Sequence, residues 1–145
     1  MEELSKVMRY TLQDNESHSV TLREEMDFVK SYMYLLQVRY EENLQFDIRI
    51  SPELLSCKLP PMALQLLIEN AVKHNEISNR RPLTVLVKAE GDTVEVSNPL
   101  QPKRGGTAGM GIGLANLAKR YQLLYKKEVS VQEENNRFTV ILPLI

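Results

Sequence analysis

Asn70, Lys73 and His74 stand at i, i+3 and i+4 of segment 64–75, so on a helix they present an amide oxygen, an ammonium and a flat ring side by side. Such a trio suits a nucleotide: the amide oxygen for a hard cation such as Mg²⁺, the ammonium for phosphate charge, the ring for stacking on a base. The pattern alone also fits a surface helix whose polar side chains simply meet water. A second stretch shifts that balance. Five of the six glycines in the chain, Gly105, Gly106, Gly109, Gly111 and Gly113, fall within nine residues, directly before an apolar helical pattern. Glycines let the backbone approach phosphate and take positive φ angles, and the helix start that follows offers free N–H groups to an anion.

The spacing in 109–114 excludes the commoner phosphate loops. No Gly-Lys-Ser/Thr follows, so it is not a P-loop, and the glycines run G-x-G-x-G without a surrounding parallel βαβ unit, so it is not a Rossmann turn. The His-Arg-Asp and Asp-Phe-Gly segments of protein kinases are missing from the sequence.

The elements that must hold these residues can be read in order. Leu4, Val7, Met8 and Leu12 repeat at helical spacing before a polar break over 13–19, where His18 reads as an isolated loop imidazole. Thr21-Leu22-Arg23-Glu24 is a capping box that opens a second helix. Along it Met26, Val29, Met33, Leu36 and Tyr40 form a heptad seam, widened by Phe28, Tyr32 and Leu35. So broad an apolar face suits a helix that packs on its own domain, a second subunit, or both. Segment 46–50 alternates as a half-buried strand, and Lys58-Leu59-Pro60-Pro61 forces an extended approach, with Pro61 in the first turn of the helix bearing Asn70. That helix buries Leu64, Leu67, Ile68, Ala71 and Val72. Strands around Leu83, Val85 and Val87, then Val94 and Val96, make a hairpin across Glu90-Gly91-Asp92. Segment 97–108 reads as a lid. A helix over 112–124 buries Leu114, Leu117, Ala118, Tyr121 and Leu124, and a last hairpin closes around Asn135-Asn136. The fold class is therefore α/β: a two-layer sandwich with helices on one face of a mixed, mostly antiparallel sheet.

Composition bounds the rest. With 145 residues, 43% of them hydrophobic, the chain can bury one core and has room for little beyond one domain and an appendage. A formal net charge of −1 and no long basic run argue against nucleic acid as a partner. Cys57 is the single cysteine, so neither a disulfide framework nor a cysteine zinc site can form within one chain; it reads as a small core residue in a reducing compartment. No apolar run approaches the roughly 18 residues that span a bilayer. The expectation is a soluble chain, cytoplasmic, from a parent whose membrane segments lie upstream.

At this point two segments carry a resemblance. Glu69-Asn70-Ala71-Val72-Lys73-His74 resembles the N box, and 109–114 the G box, of the GHKL (Bergerat) ATP-binding superfamily. Leu59-Pro60-Pro61 ahead of the first box, the Gly-Ile-Gly-Leu-x-Asn run ending at Asn116, and Arg120-Tyr121 resemble LytS-like sensor histidine kinases within it. The match covers residues 46–145 as an ATP-binding catalytic domain and, more loosely, 1–42 as a helical remnant of the dimerisation and phosphoacceptor region.

The resemblance implies that Asn70 holds Mg²⁺ on the phosphates of ATP, that Lys73 contacts phosphate and that His74 lies against adenine. It implies that Gly109, Gly111 and Gly113, with Leu114, shape the phosphate loop and lid hinge. Glu69 then polarises a water or the metal shell, or serves only as an i,i+4 partner of Lys73. Two departures stand out. Where the family carries an adenine-binding aspartate this chain has Asn98, whose amide oxygen accepts a hydrogen bond more weakly than a carboxylate. Neither His18 nor His74 is placed as a phosphoacceptor. The function implied is transfer of the γ-phosphate of Mg-ATP to a histidine on a segment outside this chain, with a response regulator as next partner and a homodimer through the N-terminal helices. The alternative is a non-catalytic nucleotide-sensing or scaffold domain. A self-contained ATPase is disfavoured, since Leu66 occupies the place of the general-base glutamate in gyrase and MutL-type enzymes.

Overall fold

The computed structural model describes residues 19–103 and 111–145. The repeat from Leu4 to Leu12, His18, and Gly105, Gly106 and Gly109 lie outside the described residues. In chain order the elements are β1 (Val20–Thr21), α1 (Leu22–Tyr40), β2 (Leu44–Ile50), β3 (Lys58–Leu59), α2 (Ala63–His74), β4 (Leu83–Glu90), β5 (Thr93–Pro99), α3 (Ile112–Tyr125), β6 (Ser130–Glu134) and β7 (Arg137–Pro143).

Five strands form one sheet in the order β2-β4-β5-β7-β6. β2 runs parallel to β4 and the other pairs are antiparallel, so the chain crosses over between β2 and β4, and α2 lies in that crossover. Leu83, Val85, Val87 and Ala89 of β4 are buried while the residues between them are half-buried or exposed, which is the alternation of a sheet with its core on one face. The two hairpins close as the sequence suggests. Gly91 turns the first with φ 65°, and Asn135 and Asn136 turn the second with φ 53° and 61°, a pair of left-handed residues that asparagine tolerates.

The Thr21 capping box forms as read: Thr21 Oγ1 accepts the Glu24 N–H at 3.1 Å and the Glu24 carboxylate accepts the Thr21 N–H at 3.0 Å. Met26, Val29 and Met33 are buried where α1 packs on α2 and β2. Leu35, expected on that face, is 58% exposed beside Tyr34 and Val38, because α1 meets the domain along one side only.

Three further expectations are corrected. Pro61 lies outside α2, which begins at Ala63 behind a left-handed Met62 (φ 68°). Residues Ser97–Pro99 continue β5 instead of opening a lid, because Ser97, Asn98 and Pro99 pair with Thr139, Phe138 and Arg137 of β7. Leu124 is 46% exposed, since α3 turns Leu114, Leu117 and Tyr121 inward and Tyr125 packs edge-on against Tyr121, with ring centroids 5.7 Å apart. The β1–β3 ribbon was not legible in the sequence. It ties the start of α1 to the approach to α2, with the Leu22 N–H donating to the Cys57 carbonyl at 2.7 Å and Arg23 N–H to Leu55 at 3.0 Å.

Candidate functional site

Helix α2 carries most of the candidate residues, and both its ends are held by polar groups. At its start Met62, in the N-cap position, has no side chain that can accept a hydrogen bond. Glu25 of α1, fully buried, supplies the acceptor instead. Its carboxylate takes the Met62 N–H at 3.1 Å and the Leu64 N–H at 2.9 Å, and also bonds the Gln65 amide. Burial pushes this carboxyl up from 4.5 to about 7, against the lowering effect of the three amides.

At the other end Asn75, buried, donates to the Ala71 carbonyl at 2.8 Å and accepts the Gln101 N–H at 2.8 Å. The Gln101 side chain donates to the carbonyls of Glu76 and Arg81, and Asn75 bridges to Pro102. Segment 100–103 is thus laid across the C-terminal end of α2. Neither Asn75 nor Gln101 was singled out from the sequence, although an asparagine directly after a helix is a recognised stop signal.

The candidate residues divide between two openings. Asn70 and His74, with Asn75, Leu100 and Phe138, line a small cavity of about 20 Å³. Glu69, Gln65, Leu66, Gly113, Asn116 and Arg120 line a wider cleft of about 330 Å³ between α2 and α3. Lys73 is exposed and lines neither, and it forms no ion pair with Glu69. Leu114 is fully buried in the core. Asn98 is buried in β5, and its amide donates to the Pro99 carbonyl at 2.7 Å. Gly109 lies outside the described residues.

Gly111 and Gly113, the described end of the glycine run, meet α2. A Cβ at Gly111 would stand 3.9 Å from His74 Nε2, and a Cβ at Gly113 would stand 2.8 Å from Leu66 Cδ1, too close for a real contact. Gly111 has φ −73° and heads α3 without a side-chain cap, so main-chain N–H groups are what that helix start presents. Positive φ, expected of these glycines, is found in neither Gly111 nor Gly113. What glycine supplies at Gly113 is the missing Cβ, which lets α3 lie against Leu66.

Magnesium fits this donor set in one way. Among the described residues no group of three His, Cys, Asp or Glu side chains could hold a metal alone. A single amide oxygen from Asn70, completed by phosphate oxygens and water, is the sparse protein shell that Mg²⁺ accepts.

A histidine kinase family profile matches residues 1–44. The chain is 33% identical over 137 residues to the sensor histidine kinase YesM of Bacillus subtilis, covering 86% of this chain and 24% of that protein. It is 28% identical over 165 residues to the sensor histidine kinase/phosphatase LytS of Staphylococcus aureus, covering 97% and 28%. The chain is related to the LytS- and YesM-like sensor histidine kinases. It spans about a quarter of the length of these relatives. The catalytic domain of the histidine kinase ThkA superposes with a TM-score of 0.55 at 18% identity, covering 86% of this chain and 95% of that one. The mycobacterial sensor histidine kinase MprB gives 0.53 at 16% identity, covering 87% and 96%. The α/β architecture is that of histidine kinase catalytic domains.

Proposed function

We propose that this chain is the ATP-binding portion of a two-component sensor kinase and that it presents the γ-phosphate of Mg-ATP to a histidine other than His18 or His74. The observation that carries the reading is the approach of Gly111 to His74, which puts an uncapped helix start beside the imidazole of α2, one turn from Asn70. Bound Mg²⁺ would neutralise charge that develops on the transferring phosphoryl group. Asn70 would orient the metal and phosphates through its amide oxygen. His74 would lie along the base, and the amides at the start of α3 would hold phosphate oxygens in place. Lys73, exposed and without an acidic partner among the described residues, would reach phosphate. Catalysis would rest on positioning and electrostatics, with the nucleophile supplied by the acceptor histidine. Residues 46–145 would form this catalytic domain, and 1–42 would belong to a dimerisation region that pairs two copies. A response regulator would receive the phosphoryl group, on the cytoplasmic side of a membrane-anchored parent. No helix among the described residues is long and apolar enough to cross a bilayer.

Calorimetric titration with Mg-ATP tests the reading. The wild-type chain is expected to bind, and Asn70→Asp, which keeps size but sets a carboxylate against phosphate, is expected to bind at least about tenfold more weakly. Equal affinities would remove the reading. The burial of Asn98 favours a second reading, a non-catalytic nucleotide sensor. That reading predicts the same binding with no phosphoryl transfer to a supplied acceptor helix.

A further inference from the structure

Helix α2 is the rigid body on which Asn70 and His74 ride, and what fixes its start comes from another helix. Met62 sits left-handed at the N-cap with no acceptor of its own, and the Glu25 carboxylate closes on the Met62 and Leu64 N–H groups from α1. A buried carboxylate held by main-chain donors on a different element is a specific joint, because a longer or shorter reach would leave either the charge or the amides unsatisfied. Nearby contacts make the joint stiff. The β1–β3 ribbon pairs Val20 with Leu59 and Thr21 with Lys58, so the residues before each helix are tied as well. Leu66, one turn into α2, is the side chain that Gly113 admits, so a shift of α2 along its axis would also disturb the start of α3.

We propose that Glu25 is a positioning residue for nucleotide binding: by capping α2 from α1, it sets where Asn70 and His74 stand relative to Gly111. The position of α1 is thereby coupled to the nucleotide site. This rests on the Mg-ATP reading above. Asn70 is the eighth residue of the 12-residue α2, so a clamp on the first turn fixes its placement through a short, hydrogen-bonded rod. Errors on the order of 1 Å at such groups are enough to weaken productive binding strongly.

The test combines amide exchange with Mg-ATP calorimetry on the whole chain. In the wild type the Met62 and Leu64 amides should exchange slowly, although first-turn helix amides have no intrahelical partner. Fast exchange there overturns the proposal whatever the variants do. Glu25→Gln and Glu25→Asp should release that protection and weaken Mg-ATP binding roughly tenfold or more. Val29→Ala, which loosens the packing of the same helix without touching the cap, should lose stability but keep affinity within about twofold. Loss of affinity in Val29→Ala equal to that in the Glu25 variants would make the role merely structural and overturn the inference. Wild-type affinity in both Glu25 variants, with Asn70→Asp impaired, would overturn it and leave the nucleotide reading standing. A wild-type chain that fails to bind Mg-ATP would remove both.

Discussion

At Glu25 two physical effects oppose each other, and the pH dependence of stability shows which prevails. Burial disfavours the charged form while the amides of Leu64, Met62 and Gln65 favour it, and burial wins, leaving the carboxyl at about 7 against an ordinary 4.5. A carboxyl raised on folding contributes stability that is present in full below the unfolded value and is lost as pH rises through the folded one. The window is therefore about pH 4.5 to 7, and the swing is roughly 3 kcal/mol. Tyr121 of α3 faces the same region, but burial, Tyr125 and Glu25 push its phenol well upward, so it stays neutral throughout. Denaturant melts of the wild type and Glu25→Gln at pH 5 and pH 8 should show the wild type losing the larger share of its stability at pH 8. Parallel losses would contradict the assignment. Gly111 gives a second residue-scale expectation. Its φ of −73° suits any residue and an added Cβ would meet His74 Nε2 at an ordinary 3.9 Å. Gly111→Ala should leave the melting midpoint unchanged, yet weaken Mg-ATP about tenfold by crowding the phosphates. That Asn70 and His74 share one cavity was readable from spacing, because helical periodicity places i and i+4 together. Glu25 was not, because a cap supplied from 37 residues away leaves no local pattern.

Among the elements, the contact of α2 with α3 is the most exposed to test. A Cβ on Gly113 would collide with Leu66 Cδ1 at 2.8 Å, and Leu66 is half-buried, so its side chain can rotate but must lose packing to do so. Gly113→Ala should destabilise the chain by about 1 kcal/mol, and the double variant with Leu66→Ala should recover part of it, a coupling of about 0.5–1.5 kcal/mol in a double-mutant cycle. Additive effects would mean that the two helices do not meet there. Strands with clear alternation, such as β4, and hairpins with Gly91 or Asn135-Asn136 were legible, since period and turn chemistry are local. The two-residue β1 and β3 were not, because strands that short have no period. Of the segment 97–108 read as a lid, Ser97 to Pro99 were misread for a related reason: prolines and polar residues look like a loop, but these three gain ladder partners in β7, while residues 100–103 are irregular as expected and 104–108 lie outside the described residues.

On the scale of the molecule, the fold brings His74 and Gly111 together across 37 positions of sequence, which is the step that composition and periodicity cannot supply. The proposed function requires α2 and the start of α3 to bind Mg-ATP as one site. Amide hydrogen exchange with and without Mg-ATP tests it most directly. Slowed exchange is expected in both places at once, in the C-terminal half of α2 around Asn70 to His74 and at the start of α3 from Gly111 to Leu114, with no slowing at either in Asn70→Asp. Protection confined to one of the two segments, or absent from both, would contradict it.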